Sequence, residues 1–125
     1  MRKIIGLQAA PTRLLVDLYF GEDVEKIEKE IDDKYDKGED EDNFDSAIES
    51  RRGFCGWVYD EDNVLRLLIY VRNSSDLITL GHEVIHATWY VQYFSGFKFS
   101  YNSQEIQTYL YEYLMTEILK QLSDE

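Results

Sequence analysis

His82 and His86 are the only histidines in the chain; they stand four positions apart, and Glu83 directly follows the first. On a helix, residues at i and i+4 lie one above the other, so the two imidazoles project to a common point. Glu83 is turned about 100° away and can reach a water held by a metal rather than the metal itself. Ligand, base and ligand in five residues is the arrangement that helical zinc sites use. The competing reading makes both histidines ordinary helix residues with core hydrogen bonds. A catalytic zinc needs a third protein ligand and leaves its fourth position to water. Cys55 lies upstream in a predicted strand, so a carboxylate from the last predicted helix is the best source. Glu105, with eighteen residues between it and His86, is placed for that role. That separation lets the first helix finish, the chain reverse around Gly96, and the second helix return antiparallel. Against this, Asn102 followed by Glu105 also fits a capping box, in which the glutamate bonds back to the cap. Glu112 and Glu117 are the other candidates. The expectation is one Zn2+ per chain, held by His82, His86 and Glu105.

The elements that must position these residues are legible in outline. Residues 3–7 and 13–20 read as strands, separated by Pro11 and ended at Gly21. Val24, Ile27, Ile31 and Tyr35 recur at helical spacing in a charged segment, which predicts a surface helix over 23–37 with one narrow apolar stripe. Residues 36–46 are densely acidic and predict a mobile loop. Strands resume at 54–60 and 64–72 around the turn residues Glu61, Asp62 and Asn63. Arg66, Ile69 and Val71 break strict alternation, so no faces are assigned to that last strand. Asn73 or Ser74 can cap the next helix, with Asp76 in its first turn; it runs to about Ser95 and stops at Gly96. Leu80, Val84, Ala87, Val91 and Phe94 form its stripe, and Ile78, Ile85, Trp89 and Tyr93 make its flanks apolar, which predicts a central, buried helix. Asn102 can cap a final helix to about Leu122, with Ile106, Leu110, Tyr113, Leu114 and Ile118 on one side. The fold expected is α+β in a single domain over residues 1–125: a small, mainly antiparallel sheet covered by the charged helix, with the histidine helix and an antiparallel C-terminal helix on the active-site side.

Size and charge narrow the classes. The 125 residues allow one core and no separate binding domain. Hydrophobic residues at 44% and aromatic residues at 14% suffice for a packed interior. The net charge of −12 argues against direct nucleic-acid binding, which needs clustered Lys and Arg to displace counterions. No stretch approaches the ~18 continuous apolar residues of a membrane span, and residues 1–7 are too short an apolar run for a signal peptide. The lone Cys55 has no internal disulfide partner. Flanked by Phe54 and Gly56, it reads as a small buried residue, because no third histidine is free to act as its base. A cytoplasmic setting, with no membrane partner, is expected.

With those residues in place, the sequence resembles the gluzincin class of metallopeptidases, in which His-Glu-x-x-His on one helix is completed by a glutamate on the next. His82, Glu83, His86 and Glu105 carry the likeness, which covers residues 77–122, and the 54–72 hairpin looks like the strands that precede the zinc helix in that class. The runs HEVIHATWYVQYFSG and NSQEIQTYLYEYL are also similar to minimal metallopeptidases of bacteriophages, which would place the protein in a host cytoplasm. One departure is Tyr109, standing where the class has an acid that orients a histidine; Glu112 could substitute. The resemblance implies a zinc-activated water, Glu83 as general base, and a tyrosine steadying the oxyanion. Tyr109 is the first choice for that tyrosine, with Tyr101 and Tyr113 as the others.

The function expected is therefore a zinc-dependent peptidase acting on a peptide or protein substrate, generic or one specific regulatory protein. The alternative from another class is a non-catalytic acidic protein-binding module, such as a phage-type inhibitor, in which a structural metal only joins two helices. Neither reading fixes an oligomeric state.

Overall fold

A computed structural model of the chain describes residues 1–36, 52–96 and 104–123. Its elements are β1 (Arg2–Gln8), β2 (Leu15–Phe20), α1 (Val24–Lys34), β3 (Gly53–Tyr59), β4 (Leu65–Val71), α2 (Leu77–Ser95) and α3 (Gln104–Ser123). The strands form one sheet in the order β1-β2-β4-β3. β1 with β2 and β3 with β4 pair antiparallel, while β2 and β4 run parallel. The α+β class holds, and two of the three pairings are antiparallel.

The parallel centre explains why β4 shows no alternation. β2 and β4 are covered on both faces, so their side chains are apolar in both directions. On one face Val16, Leu18 and Phe20 of β2 join Leu67, Ile69 and Val71 of β4, and they pack on Leu80, Val84, Ala87 and Val91 of α2 and Leu110, Leu114 and Ile118 of α3. On the other face Tyr19, Leu68, Tyr70 and Val58 receive Ile27, Ile31 and Tyr35 from α1 and its end. The sheet is therefore a middle layer, with α1 on one side and the α2–α3 pair on the other.

A buried carboxylate interrupts the α1 face. Asp17 is fully buried and accepts from the Gly6 N–H at 2.7 Å, the Tyr35 hydroxyl at 2.5 Å and Arg66 Nη1 at 3.0 Å. Gly6 sits at φ +75° in the irregularity of β1 between Ile4 and Leu7, a left-handed backbone that a side chain would strain, and there its N–H meets Asp17. Arg66 bridges outward, its Nε donating to Asp60 at 2.9 Å. This network is why an arginine stands in the otherwise apolar β4.

The helix ends differ in one respect from the sequence expectation. The N-cap of α2 is Asp76, which accepts from the Thr79 N–H at 3.1 Å and the Thr79 hydroxyl at 2.6 Å. Asn73 instead accepts from the Ser75 N–H at 2.9 Å, shaping the turn that leads into the helix. Gly96, at φ 81°, ends α2 as expected. The α3 cap proposed at Asn102 lies outside the described residues, as does the acidic loop over 36–46 apart from Asp36. Asp36 itself pairs with Tyr59 at the end of β3. No helix among the described residues is long and apolar enough to cross a membrane.

Candidate metal centre

α2 presents different residues to its three neighbours. Leu80, Val84, Ala87 and Val91 face the sheet. One flank carries Gly81, where a Cβ would lie 3.0 Å from the Tyr111 hydroxyl of α3, so the missing side chain lets the two helices close up. The opposite flank carries His82, Glu83, His86 and Tyr90, which line a recess of about 300 Å³ with Gly53, Phe54 and Cys55 of β3. The histidine stripe is therefore turned toward the outer strand of the sheet and away from α3.

Within that recess His86 Nε2 stands 3.2 Å from His82 Nε2. Nitrogens bound at the usual zinc distance, about 2.0–2.1 Å, and spread at the tetrahedral angle are separated by about 3.3–3.4 Å, so the pair needs little adjustment to share one ion. The same spacing allows one ring N–H to donate to the other ring, so a metal would take the place of that shared proton. Glu83 completes the group: the donor atoms of His82, Glu83 and His86 all lie within 4.8 Å of one another. His82 is exposed, His86 half-buried and Glu83 buried. Partial burial, and then the neighbouring His82, hold the His86 imidazole below its usual 6.5, which favours the neutral form a metal requires.

β3 shapes the back of the recess. A Cβ at Gly53 would fall 2.6 Å from Thr79 Cγ2 and 3.0 Å from Glu83 Oε2, so glycine there gives the carboxylate its room. Cys55 is a buried free thiol, and burial, reinforced by Glu83, pushes its pKa well above the ordinary value. A thiol held protonated in this way is a poor nucleophile. Burial, then Cys55 and Glu83, also raise the Tyr90 hydroxyl, keeping it an O–H donor.

The structure gathers His82, Glu83 and His86 and places the other two expected site residues elsewhere. Glu105 and Tyr109 line a separate cleft of about 690 Å³ with Pro11, Arg13 and Ser95. Glu105 shares that cleft with Ser95, which is nine residues, or about 13.5 Å of helix axis at 1.5 Å per residue, from His86. Tyr113 stacks on Tyr109, with ring centroids 6.0 Å apart, and Tyr101 lies outside the described residues. Among the described residues, His82, Glu83 and His86 form the one group of three or more metal-ligating side chains, so Glu112 and Glu117 do not join it either.

Two residues of the recess were not singled out from the sequence. Tyr90 had a usable signal, since 82, 86 and 90 continue the same i, i+4 stripe. Gly53 had none, because its role depends on a contact across the fold. No family model, curated protein or solved structure matches the chain.

Proposed function

We propose that the chain is a zinc-dependent peptidase whose centre is the recess between α2 and β3. The observation that supports this most directly is the 3.2 Å approach of the two imidazole nitrogens with the Glu83 carboxylate beside them. His82 and His86 would hold the ion through Nε2, supplying two of the three protein ligands that a catalytic zinc takes; with Glu83 kept as the base, the described residues gather no third ligand beside the pair. Bound zinc would supply Lewis acidity, lowering the pKa of water and polarising a carbonyl oxygen. Glu83, set against Gly53 and shielded from solvent, takes the proton of the attacking water and delivers it to the departing amine. The Tyr90 hydroxyl, kept protonated, donates to the oxygen on which negative charge develops, the role for which the family resemblance made Tyr109 the first choice. Glu105 is left out of this arrangement because it lines the other cleft.

The test uses zinc-loaded protein and a mixed peptide library, with cleavage read by mass spectrometry. The proposal expects cleavage by the wild type and its loss, by at least about a hundredfold for a removed general base, in Glu83→Gln with zinc content unchanged. Cleavage that survives Glu83→Gln, or a zinc-loaded wild type that cuts nothing in the library or among candidate regulatory proteins, overturns it. In the latter case the acidic binding module becomes the better reading, its motif joining helix turns instead of activating water.

A further inference from the structure

The sequence predicts a buried α2, yet one of its faces is open to solvent and apolar: Ile78 is 88% exposed, Tyr93 70%, Trp89 46% and Ile85 42%. Glu83 is the one charged residue in the helix. A surface helix normally carries its charges on this face, so an apolar stripe here marks a binding surface. The stripe leads into a groove of about 440 Å³ lined by Trp57, Trp89, Tyr90, Tyr93 and Phe94. Tyr90 also lines the histidine recess, and His86 meets Trp89 edge to face at 5.7 Å, so the groove and the centre are continuous. The rings stand as walls: Trp57 makes angles of 69° with Tyr90 and 71° with Phe94, and Tyr93 makes 82° with Phe94. A side chain entering the groove meets aromatic surfaces from several directions.

The adjoining strand edge can hold a backbone. β3 is the outer strand of the sheet, and Tyr59 directs both its N–H and its C=O away from β4, to Asp36. By the two-residue period of a strand, Trp57 and Cys55 turn their N–H and C=O the same way. Among the described residues, Asp36 is the one partner that β3 has on its outer edge, through the bridge to Tyr59. Neither β3 nor α2 contains Lys or Arg, and the chain carries −12. The field around the groove therefore draws cations, and ring faces, tryptophan's above all, hold them.

We infer that this groove is a subsite for an arginine or lysine side chain, carried by an extended peptide segment that adds to the β3 edge. Its role as a substrate subsite rests on the peptidase reading; its binding chemistry does not. Trp57 lies two residues along β3 from Cys55 of the recess. A strand paired there would place the cationic residue roughly two positions from the bond held over His82 and His86.

The experiment compares Ac-Thr-Val-Thr-Arg-Thr-Val-Thr-NH2 with the same peptide carrying citrulline, which keeps the shape of arginine and removes its charge. Binding is read by calorimetry and tryptophan fluorescence on the Glu83→Gln protein, on a Glu83→Gln protein also carrying Trp89→Leu, and on His86→Ala. The arginine peptide should bind at least about fivefold more tightly than the citrulline peptide, and Trp89→Leu, at an exposed position, should remove that preference while leaving the melting temperature unchanged. If that variant misfolds, Trp57→Leu is read in its place. Equal affinities, no binding at all, or a preference that survives loss of the tryptophan overturns the inference. So does a concentration-dependent dimer that masks the groove and excludes both peptides. An arginine preference retained in His86→Ala after zinc is lost upholds the subsite and separates it from the metal centre. Cleavage of neutral and cationic peptides at equal rates leaves the peptidase reading standing and removes this one.

Discussion

At the scale of single residues, the recess depends on one absence. Gly53 lies where a Cβ would overlap Thr79 and press on the Glu83 carboxylate. Gly53→Ala should lower stability by about 1–3 kcal/mol, as overpacking of a closed site does, and should reduce any hydrolysis more than it reduces zinc binding, because Glu83 moves and the imidazoles do not. Chemical denaturation and zinc titration of the same variant separate the two effects. Asp17 is the opposite case, a buried group whose presence is required. Its removal in Asp17→Ala leaves Arg66 without its inner partner and the Tyr35 hydroxyl without its acceptor, and should cost roughly 3–5 kcal/mol in a urea melt, with zinc affinity unchanged because the network lies on the α1 side of the sheet. The sequence shows the His82, Glu83, His86 stripe because its spacing is local to one helix. Gly53 and the network around Asp17 are invisible there, since each exists only once β1, β3 and α2 have come together.

At the scale of elements, α2 is the part that must be rigid, and its first turn is fixed by Asp76. The hydrogen bonds from Thr79 hold the Asp76 carboxyl below its usual 3.8. Between the folded and unfolded values the unfolded chain binds the extra proton, so stability rises with pH through that window. The contribution is full above about pH 4, where the unfolded carboxyl is also ionised, and is lost as pH falls through the lowered folded value. Asp76→Ala should therefore lower the melting temperature at pH 7 and flatten its decline below pH 4, which thermal melts across pH 2–7 would reveal. Helix periodicity and the Gly96 stop were legible from the sequence; the cap was displaced from Asn73 or Ser74 to Asp76 because Asn73 is engaged with Ser75. The burial of α2 was overestimated for a clear reason. Periodicity reports which residues are apolar, while only the packing of α3 on the Gly81 flank determines which of them find a neighbour.

At the scale of the whole molecule, the sheet separates two tasks. α1 and the Asp17 network close one face, while α2 and α3 close the other and leave the histidines turned toward β3, the outer strand. The fold class follows from the order and character of the segments. The position of Glu105 did not, because chain separation permits a return helix without deciding which flank of α2 it occupies. We propose that His82 and His86 hold a metal that survives the loss of Glu105, and zinc content by elemental mass spectrometry, paired with thermal melting, decides this for wild type, His82→Ala, His86→Ala and Glu105→Ala. About one zinc per chain is expected in the wild type and in Glu105→Ala, with a melting temperature that rises with zinc in both, and loss of metal and of that rise in each histidine variant. No zinc in any of the four proteins, or zinc lost with Glu105 as completely as with His86, would contradict it.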